Sequence, residues 1–185
     1  METVDKLKWL LSDVSTDLTF YNQIFGKTDD VEVLREFSDW VFSNYQRCLT
    51  DSIFSKLSKL LDPDKTCGSN NLSFSYVIKK HSLSKDLDIK NSLSEIQSIY
   101  KTSGLKKYRN KVLAHNDATS IENSHQNTIS FENGIEVFLS KMWDLFALLE
   151  FKTGLENVIP KYGTGIIIPA EMDGETFLLK LRKCM

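Results

Sequence analysis

Apolar residues recur at steps of three and four along most of this 185-residue chain, which is the spacing of one face of an α-helix. Only 3 Pro and 8 Gly interrupt the pattern, so long unbroken elements are favoured. Hydrophobic residues make up 41% and charged residues 26%, which is typical of a globular chain and not of a disordered one. We therefore predict an all-α fold, a bundle of five or six helices.

The predicted helices follow one another without a linker, and the length favours one domain over 1–185 with a small C-terminal helical tail at about 171–185. The first helix covers residues 4–25 and stops at Gly26. The second is capped by Asp29 or Asp30 and ends before Pro63, because proline disfavours helix in the residue that precedes it. Its apolar positions, predicted to lie in the core, are Val33, Phe37, Trp40, Val41, Tyr45, Leu49, Ile53, Leu57 and Leu60.

The rest of the chain continues the helical pattern. The predicted elements are, in order, a loop at 65–71, a short helix at 72–81, a helix from about Ser84 that bends or breaks at Gly104, a helical stretch at 105–117, a polar loop at 116–130, a helix at 131–154 with Gly154 as its C-cap, and a last helix from about Asp173. Residues predicted to face inward are Leu87, Leu93, Ile96 and Ile99 or Tyr100 on the fourth helix, and Ile135, Phe138, Leu139, Met142, Trp143, Phe146 and Leu149 on the long helix near the C-terminus.

Charge and cysteine content exclude several classes of protein. The net charge of −2 predicts no global attraction to nucleic acid or to an anionic membrane, so RNA would require a local basic patch. Cys48, Cys67 and Cys184 form neither a disulfide framework nor a metal-ligand pattern, and Cys48 is expected in the core. The polar N-terminus does not resemble a signal peptide, and no apolar run reaches the roughly 20 residues that span a bilayer. We predict a cytoplasmic protein that has no metal, no cofactor and no membrane association.

The sequence "YRNKVLAHND" at 108–117 places Arg, Asn, Lys and His in one helical stretch. It fits a solvated helix end, where the macrodipole favours His115, or a small active site. On an α-helix, Lys111 and His115 share a face, whereas the directions of Arg109 and His115 differ by roughly 120° and their heights by about 9 Å. Arg109 and His115 can therefore border one groove without touching, and Val112 and Leu113 are expected to anchor the segment to the core.

Arg109, Asn110 and His115, with five residues between Arg and His, resemble the signature of the HEPN superfamily, the higher-eukaryote and prokaryote nucleotide-binding helical domains. The nearest resemblance is to the AbiU-like branch, named for phage abortive infection, and it extends to "SIFSKLSKLLDPD", a helix that closes on Leu-Asp-Pro. The resemblance implies a metal-independent endoribonuclease, a hydrolase of an antiviral-defence or toxin–antitoxin type, with room for a cognate antitoxin. It also implies a homodimer in which both copies of the motif line one cleft.

The residue types suit that chemistry. RNA can use its own 2′-hydroxyl as the nucleophile, so the protein needs a group that moves protons near neutral pH, and His115 is such a group. Arg109 supplies a permanent charge for the phosphate oxygens, and Asn110 can donate to the phosphate or hold His115 in one tautomer. The expected products carry a 2′,3′-cyclic phosphate and a 5′-hydroxyl.

The residues around the motif add an RNA-binding prediction. Lys106, Lys107 and Lys111 would form the local basic patch, and Tyr108 could stack a base. Two alternatives remain open. A non-catalytic helical interaction protein would need none of Arg109, Asn110 and His115, while a protein that binds RNA or nucleotides without cleavage would need the cations but not His115.

Overall fold

The computed structural model describes residues 3–113 and 129–184, and over these residues the fold is all-α, as predicted. The described part contains seven α-helices, because Gly104 adopts the left-handed conformation (φ +81°) and ends one helix just before another begins. The α-helices are α1 (Thr3–Phe25), α2 (Thr28–Leu60), α3 (Phe74–Lys80), α4 (Leu87–Thr102), α5 (Leu105–Tyr108), α6 (Ile135–Lys152) and α7 (Gly174–Arg182). A π-helical segment, Arg109–Leu113, follows α5 directly.

The helix ends follow the turn chemistry of the sequence at most positions. After α6, Gly154 is left-handed (φ +75°) and the Leu155 N–H donates to the Glu150 carbonyl at 3.0 Å, so the predicted glycine stop is confirmed as a Schellman motif. The last helix begins next to Asp173, as predicted, and the Asp173 carboxylate caps it by accepting from the Thr176 N–H at 2.7 Å.

The predicted cap of α2 is wrong. The helix begins at Thr28, so Asp29 and Asp30 both lie inside its first turn. Acidic side chains are favoured there by the partial positive charge of the helix N-terminus, which is why the same residues resemble a cap in sequence.

Residues 65–71 were predicted to be a loop, but they contain a small antiparallel hairpin. Strands β1 (Lys65–Thr66) and β2 (Ser69–Asn70) pair in the register Lys65 with Asn70 and Thr66 with Ser69. Cys67 (φ +48°) and Gly68 (φ +87°) are both left-handed, as a two-residue type I′ turn requires. Two residues per strand are too few to show an alternating pattern in the sequence.

Two compact units divide the chain. Unit 1 comprises Met1–Leu11 and Phe54–Thr164, and unit 2 comprises Ser12–Ile53 and Gly165–Met185. The predicted single domain with a C-terminal tail stays a prediction.

The core of unit 1 is built around α4 and α6, which pack against each other. The inward face predicted for α6 is confirmed at all positions except Ile135, which is half-buried. On α4, Ile96 and Tyr100 are buried as predicted, whereas Leu93 is half-buried and Leu87, the first residue of the helix, is exposed. Ile89 takes the buried position in that first turn.

A partly buried ionic cluster holds the segment after α6 within unit 1. The Lys8 ammonium donates to Glu150 Oε1 at 3.0 Å and to the Tyr162 hydroxyl at 2.8 Å, and that hydroxyl donates to the other oxygen of Glu150. Burial alone would lower the pKa of Lys8, but the hydrogen bonds to Tyr162 and Glu150 raise it overall. The nearly buried Glu150 charge is therefore compensated by direct partners.

Unit 2 has its own apolar cluster, to which α1, α2 and α7 all contribute. Its buried members are Ile24, Phe25, Leu34 and Leu178. Gly174 begins α7 so close to α1 that a β-carbon there would lie 2.7 Å from a side-chain carbon of Ile24. Arg182, at the other end of α7, pairs with Asp30 at 2.6 Å.

The outer face of α2, defined here as Phe37, Trp40, Val41 and Tyr45, was predicted to lie in the core and is exposed instead. The predicted stripe is also interrupted by a break in the helix at Ser38, where the backbone is extended (φ −167°, ψ 90°). A single helical stripe cannot continue through such a break, because the residues after it are rotated relative to those before it. Cys48, also expected in the core, is exposed on the same helix.

The two environments of tryptophan give a direct test of this correction. We expect Trp40→Ala, at 89% exposure, to change the free energy of unfolding by less than about 0.5 kcal/mol. Trp143→Ala, at 3% exposure, is the matched variant and should cost about 3–5 kcal/mol. Urea unfolding followed by far-UV circular dichroism measures both free energies. If the two variants lost equal free energy of unfolding, Trp40 would have to be buried and the correction would be wrong.

Candidate functional site

The described part of the motif lies where α5 changes into the π-helical segment. Leu105 is fully buried and anchors α5, and the change begins at Arg109. A π-helix pairs residue i with i+5, is rare, and often occurs at functional positions. Residues 109–113 are therefore not α-helical, as the predicted helical stretch required them to be.

His115, Asn116 and Asp117 lie outside the described residues. The catalytic role of His115 stays a prediction from the sequence.

The Arg109 guanidinium is held between two side chains. Its Nη2 donates to both carboxylate oxygens of Asp62, at 3.0 and 3.3 Å, and its Nη1 donates to Asn110 Oδ1 at 3.0 Å. The side chain of Arg109 is 36% exposed and that of Asp62 is 21% exposed. The guanidinium is thus fixed in orientation and still reaches solvent.

Asp62 sits on a short segment that is itself fixed. The Asn71 side-chain amide donates to the Pro63 carbonyl at 2.8 Å, and the Asn71 N–H donates to the Asp64 carbonyl at 2.9 Å. The Lys79 ammonium pairs with the Asp64 carboxylate at 2.6 Å. These bonds restrain the backbone just after Asp62, so the carboxylate that holds Arg109 has little freedom of its own.

A groove of about 660 Å³ opens beside this ion pair, and we call it the Arg109 groove. Its lining residues are Leu61, Asp62, Pro63, Asp64, Ser75, Gln97, Tyr100, Lys101, Lys106, Arg109 and Asn110. This volume falls in the range typical of small-molecule sites and is large enough for a nucleotide. Three cations line it, and the two lining carboxylates each have a basic partner, Arg109 for Asp62 and Lys79 for Asp64.

Tyr100 forms a nearly buried part of the groove wall. Burial raises the pKa of its phenol, while the neighbouring Ser58 hydroxyl and the Arg109 charge act in the opposite direction. Because the net direction is upward from 10.0, the phenol is neutral at physiological pH and presents an O–H donor.

The predicted RNA-binding residues divide between groove and surface. Lys106 lines the Arg109 groove, whereas Lys107 and Lys111 are exposed and are not among its lining residues. Tyr108 is half-buried and its ring meets that of Phe54 edge-on, with 5.9 Å between centroids. One edge of the ring predicted to stack a base is thus already in contact with protein, and its role in base stacking stays a prediction.

The anchor expected from Val112 and Leu113 is only partly present. Both are half-buried, and no residue of the π-helical segment is buried. Leu105, one turn earlier, supplies the full burial instead.

Sequence reasoning missed the residues that complete the groove, chiefly Asp62, Gln97, Tyr100 and Lys101. The Leu-Asp-Pro sequence was recognised as a helix end, but not as the source of a carboxylate for Arg109. The two residues are 47 positions apart, and no local spacing rule connects them. The sequence signal that could have indicated Asp62 is its position at a helix end, directly before Pro63.

No protein-family model, curated protein or solved structure matches the chain.

Neither a metal cluster nor a membrane span is found in the part of the chain that the structure describes. Within residues 3–113 and 129–184, no three or more His, Cys, Asp or Glu side chains are grouped to hold a metal ion. No helix in the same residues is long and apolar enough to cross a membrane.

The Asp64–Lys79 pair at the groove can be tested by titration. The hydrogen bond from Lys79 lowers the pKa of Asp64 below 3.8, so the pair stabilises the fold above pH 3.8 and is lost as the pH falls through the lower, folded-state value. We expect Lys79→Met to return the pKa of Asp64 towards 3.8, measured by ¹³C NMR of the carboxyl group. Lys80→Met is the control, because Lys80 bonds to Thr3 and not to Asp64. An unchanged pKa in Lys79→Met would contradict the pairing.

Proposed function

We propose that this protein is a metal-independent endoribonuclease of the HEPN type that acts through Arg109, Asn110 and His115. The observation that carries the proposal is the Arg109 guanidinium, fixed between Asp62 and Asn110 in the wall of a groove large enough for a nucleotide. A fixed guanidinium in the wall of a groove is an arrangement that can stabilise charge on a phosphate during transfer.

In the proposed reaction the 2′-hydroxyl oxygen attacks the adjacent phosphorus and the bond from phosphorus to the 5′-oxygen breaks. The 2′-hydroxyl proton leaves and the 5′-oxygen gains a proton, and His115 is the group proposed to move these protons. An arginine has five N–H donors, and the contacts to Asp62 and Asn110 use at most three. The remaining donors are available to the phosphate oxygens.

The wider setting is part of the same proposal. We propose a homodimer that brings two copies of the motif to one cleft. We also propose a cytoplasmic role in defence or in a toxin–antitoxin pair with a cognate antitoxin. These statements are supported by the resemblance of the motif.

Two other functions are favoured by specific observations. Lys101 and Lys106 line the groove independently of His115, which favours a protein that binds RNA or nucleotides without cleavage. The exposed outer face of α2 favours a non-catalytic interaction protein.

A nuclease assay on mixed cellular RNA in the presence of EDTA tests the proposal. We expect the wild type to give cyclic-phosphate ends, and His115→Ala and Arg109→Ala each to lower the rate by about 10²–10³-fold, as loss of a proton-transfer or charge-stabilising group does. His125→Ala controls for loss of a histidine outside the motif. Arg182→Ala controls for loss of an arginine that is also paired with an aspartate, Asp30.

Three outcomes distinguish the functions. Cleavage that depends on His115 and Arg109 but not on the control residues supports the ribonuclease. RNA binding without cleavage by the folded wild type supports the binding protein. Neither binding nor cleavage supports the interaction protein.

The two neighbouring lysines separate the groove from the general surface. We expect Lys106→Gln to weaken RNA binding and to reduce the slope of log affinity against log salt by about 1, because one phosphate contact is lost. Lys107→Gln removes an equal charge outside the groove and should change the slope less. Fluorescence anisotropy with a labelled 2′-O-methyl RNA measures both. Equal slopes for the two variants would argue against the groove as the RNA path.

A further inference from the structure

We infer that Asp62 is a positioning residue for Arg109: it fixes the guanidinium in the orientation that the transition state requires, at the expense of affinity for RNA. The inference rests on the proposed function. It assigns a role to a residue that lies outside the Arg-Asn-His motif and 47 positions before Arg109.

The geometry of the contact supports a positioning role. Asp62 binds through a single nitrogen, Nη2, and so restrains the guanidinium without occupying both of its terminal nitrogens. The other terminal nitrogen of Arg109, Nη1, donates to Oδ1 of the neighbouring Asn110. With two partners on different elements, the plane of the guanidinium is defined, and the donors that are left have a fixed direction.

The electrostatics argue against a role in binding. Asp62 places a negative charge in the wall of a groove that is proposed to hold a polyanion. The same charge is in direct contact with Arg109, the cation proposed to bind phosphate. A neutral side chain at position 62 would attract phosphate more strongly. A carboxylate there is useful only if orientation of the arginine matters more to the rate than the attraction it cancels.

Stability alone does not account for the pair either. Arg109 and Asp62 are both partly exposed, and ion pairs in such surroundings contribute little to folding. The segment that carries Asp62 is already held by Asn71 and by the Asp64–Lys79 pair, without any help from Arg109.

The test separates turnover from binding. Single-turnover cleavage gives the rate at saturation, and anisotropy with 2′-O-methyl RNA gives Kd. For Asp62→Asn, which keeps an oxygen acceptor but loses the charge, we expect the rate to fall about 10–100-fold while Kd is unchanged or up to about threefold tighter. Asp62→Ala should lose more of the rate with the same or a tighter Kd. Arg109→Ala should lose rate and weaken Kd.

Asp30→Asn is the matched control, because Asp30 also pairs with an arginine, Arg182, and lies outside the groove. We expect its rate and Kd to stay within twofold of the wild type. Thermal unfolding of each variant accompanies the kinetics, since a misfolded protein would lose rate and affinity together and not the rate alone.

The outcomes separate the two proposals. A wild type that cleaves, with a slowed Asp62→Asn that binds RNA at least as tightly, supports the inference. A wild type that cleaves, with Asp62→Asn within threefold of its rate or weakened in both rate and Kd, overturns the inference and leaves the ribonuclease intact. A wild type that binds RNA but does not cleave overturns the ribonuclease and the positioning role with it.

Discussion

The contact between Asp62 and Arg109 joins two parts of unit 1 that are distant in sequence, and the candidate site depends on it. Asp62 follows the C-terminal end of α2, and Arg109 begins the π-helical segment after α5. Both neighbourhoods are anchored by buried leucines, Leu57 and Leu60 before Asp62 and Leu105 before Arg109. Core packing therefore sets the distance between the two segments. The ion pair then fixes the Arg109 side chain, which spans that distance.

The same part of the molecule has a local charge arrangement that the net charge of the chain does not reveal. The net charge of −2 gives no general attraction to RNA, but the two carboxylates of the Arg109 groove are each paired with a basic side chain. Pairing leaves Lys101 and Lys106 as the charges that a ligand in the groove would meet first. Local arrangement, not total charge, is the basis of the phosphate binding that we propose for this groove.

The sequence predicted features with local causes and missed those that depend on distant partners. Most of the helices, the glycine stops at Gly26 and Gly154 and the start of the last helix near Asp173 follow from spacing and turn chemistry within a few residues, and the structure confirms them. The groove carboxylate of Asp62 could not be predicted, because its partner is 47 residues away. The outer face of α2 was misassigned since an apolar stripe indicates a face but not whether anything covers it, and the break at Ser38 leaves no sequence mark.

A groove with compensated charges suits turnover better than tight binding. In the proposed cleavage the negative charge on the phosphate oxygens would increase, so a cation that is already oriented would interact more strongly with the transition state than with the bound substrate. A free, mobile arginine would bind the substrate phosphate nearly as well and would then have to reorganise as the charge develops. In its proposed positioning role, Asp62 would weaken the attraction for phosphate in both the bound state and the transition state, but would remove the reorganisation of Arg109 only from the transition state. The net result is a larger difference between the two states, which is the quantity that sets the rate.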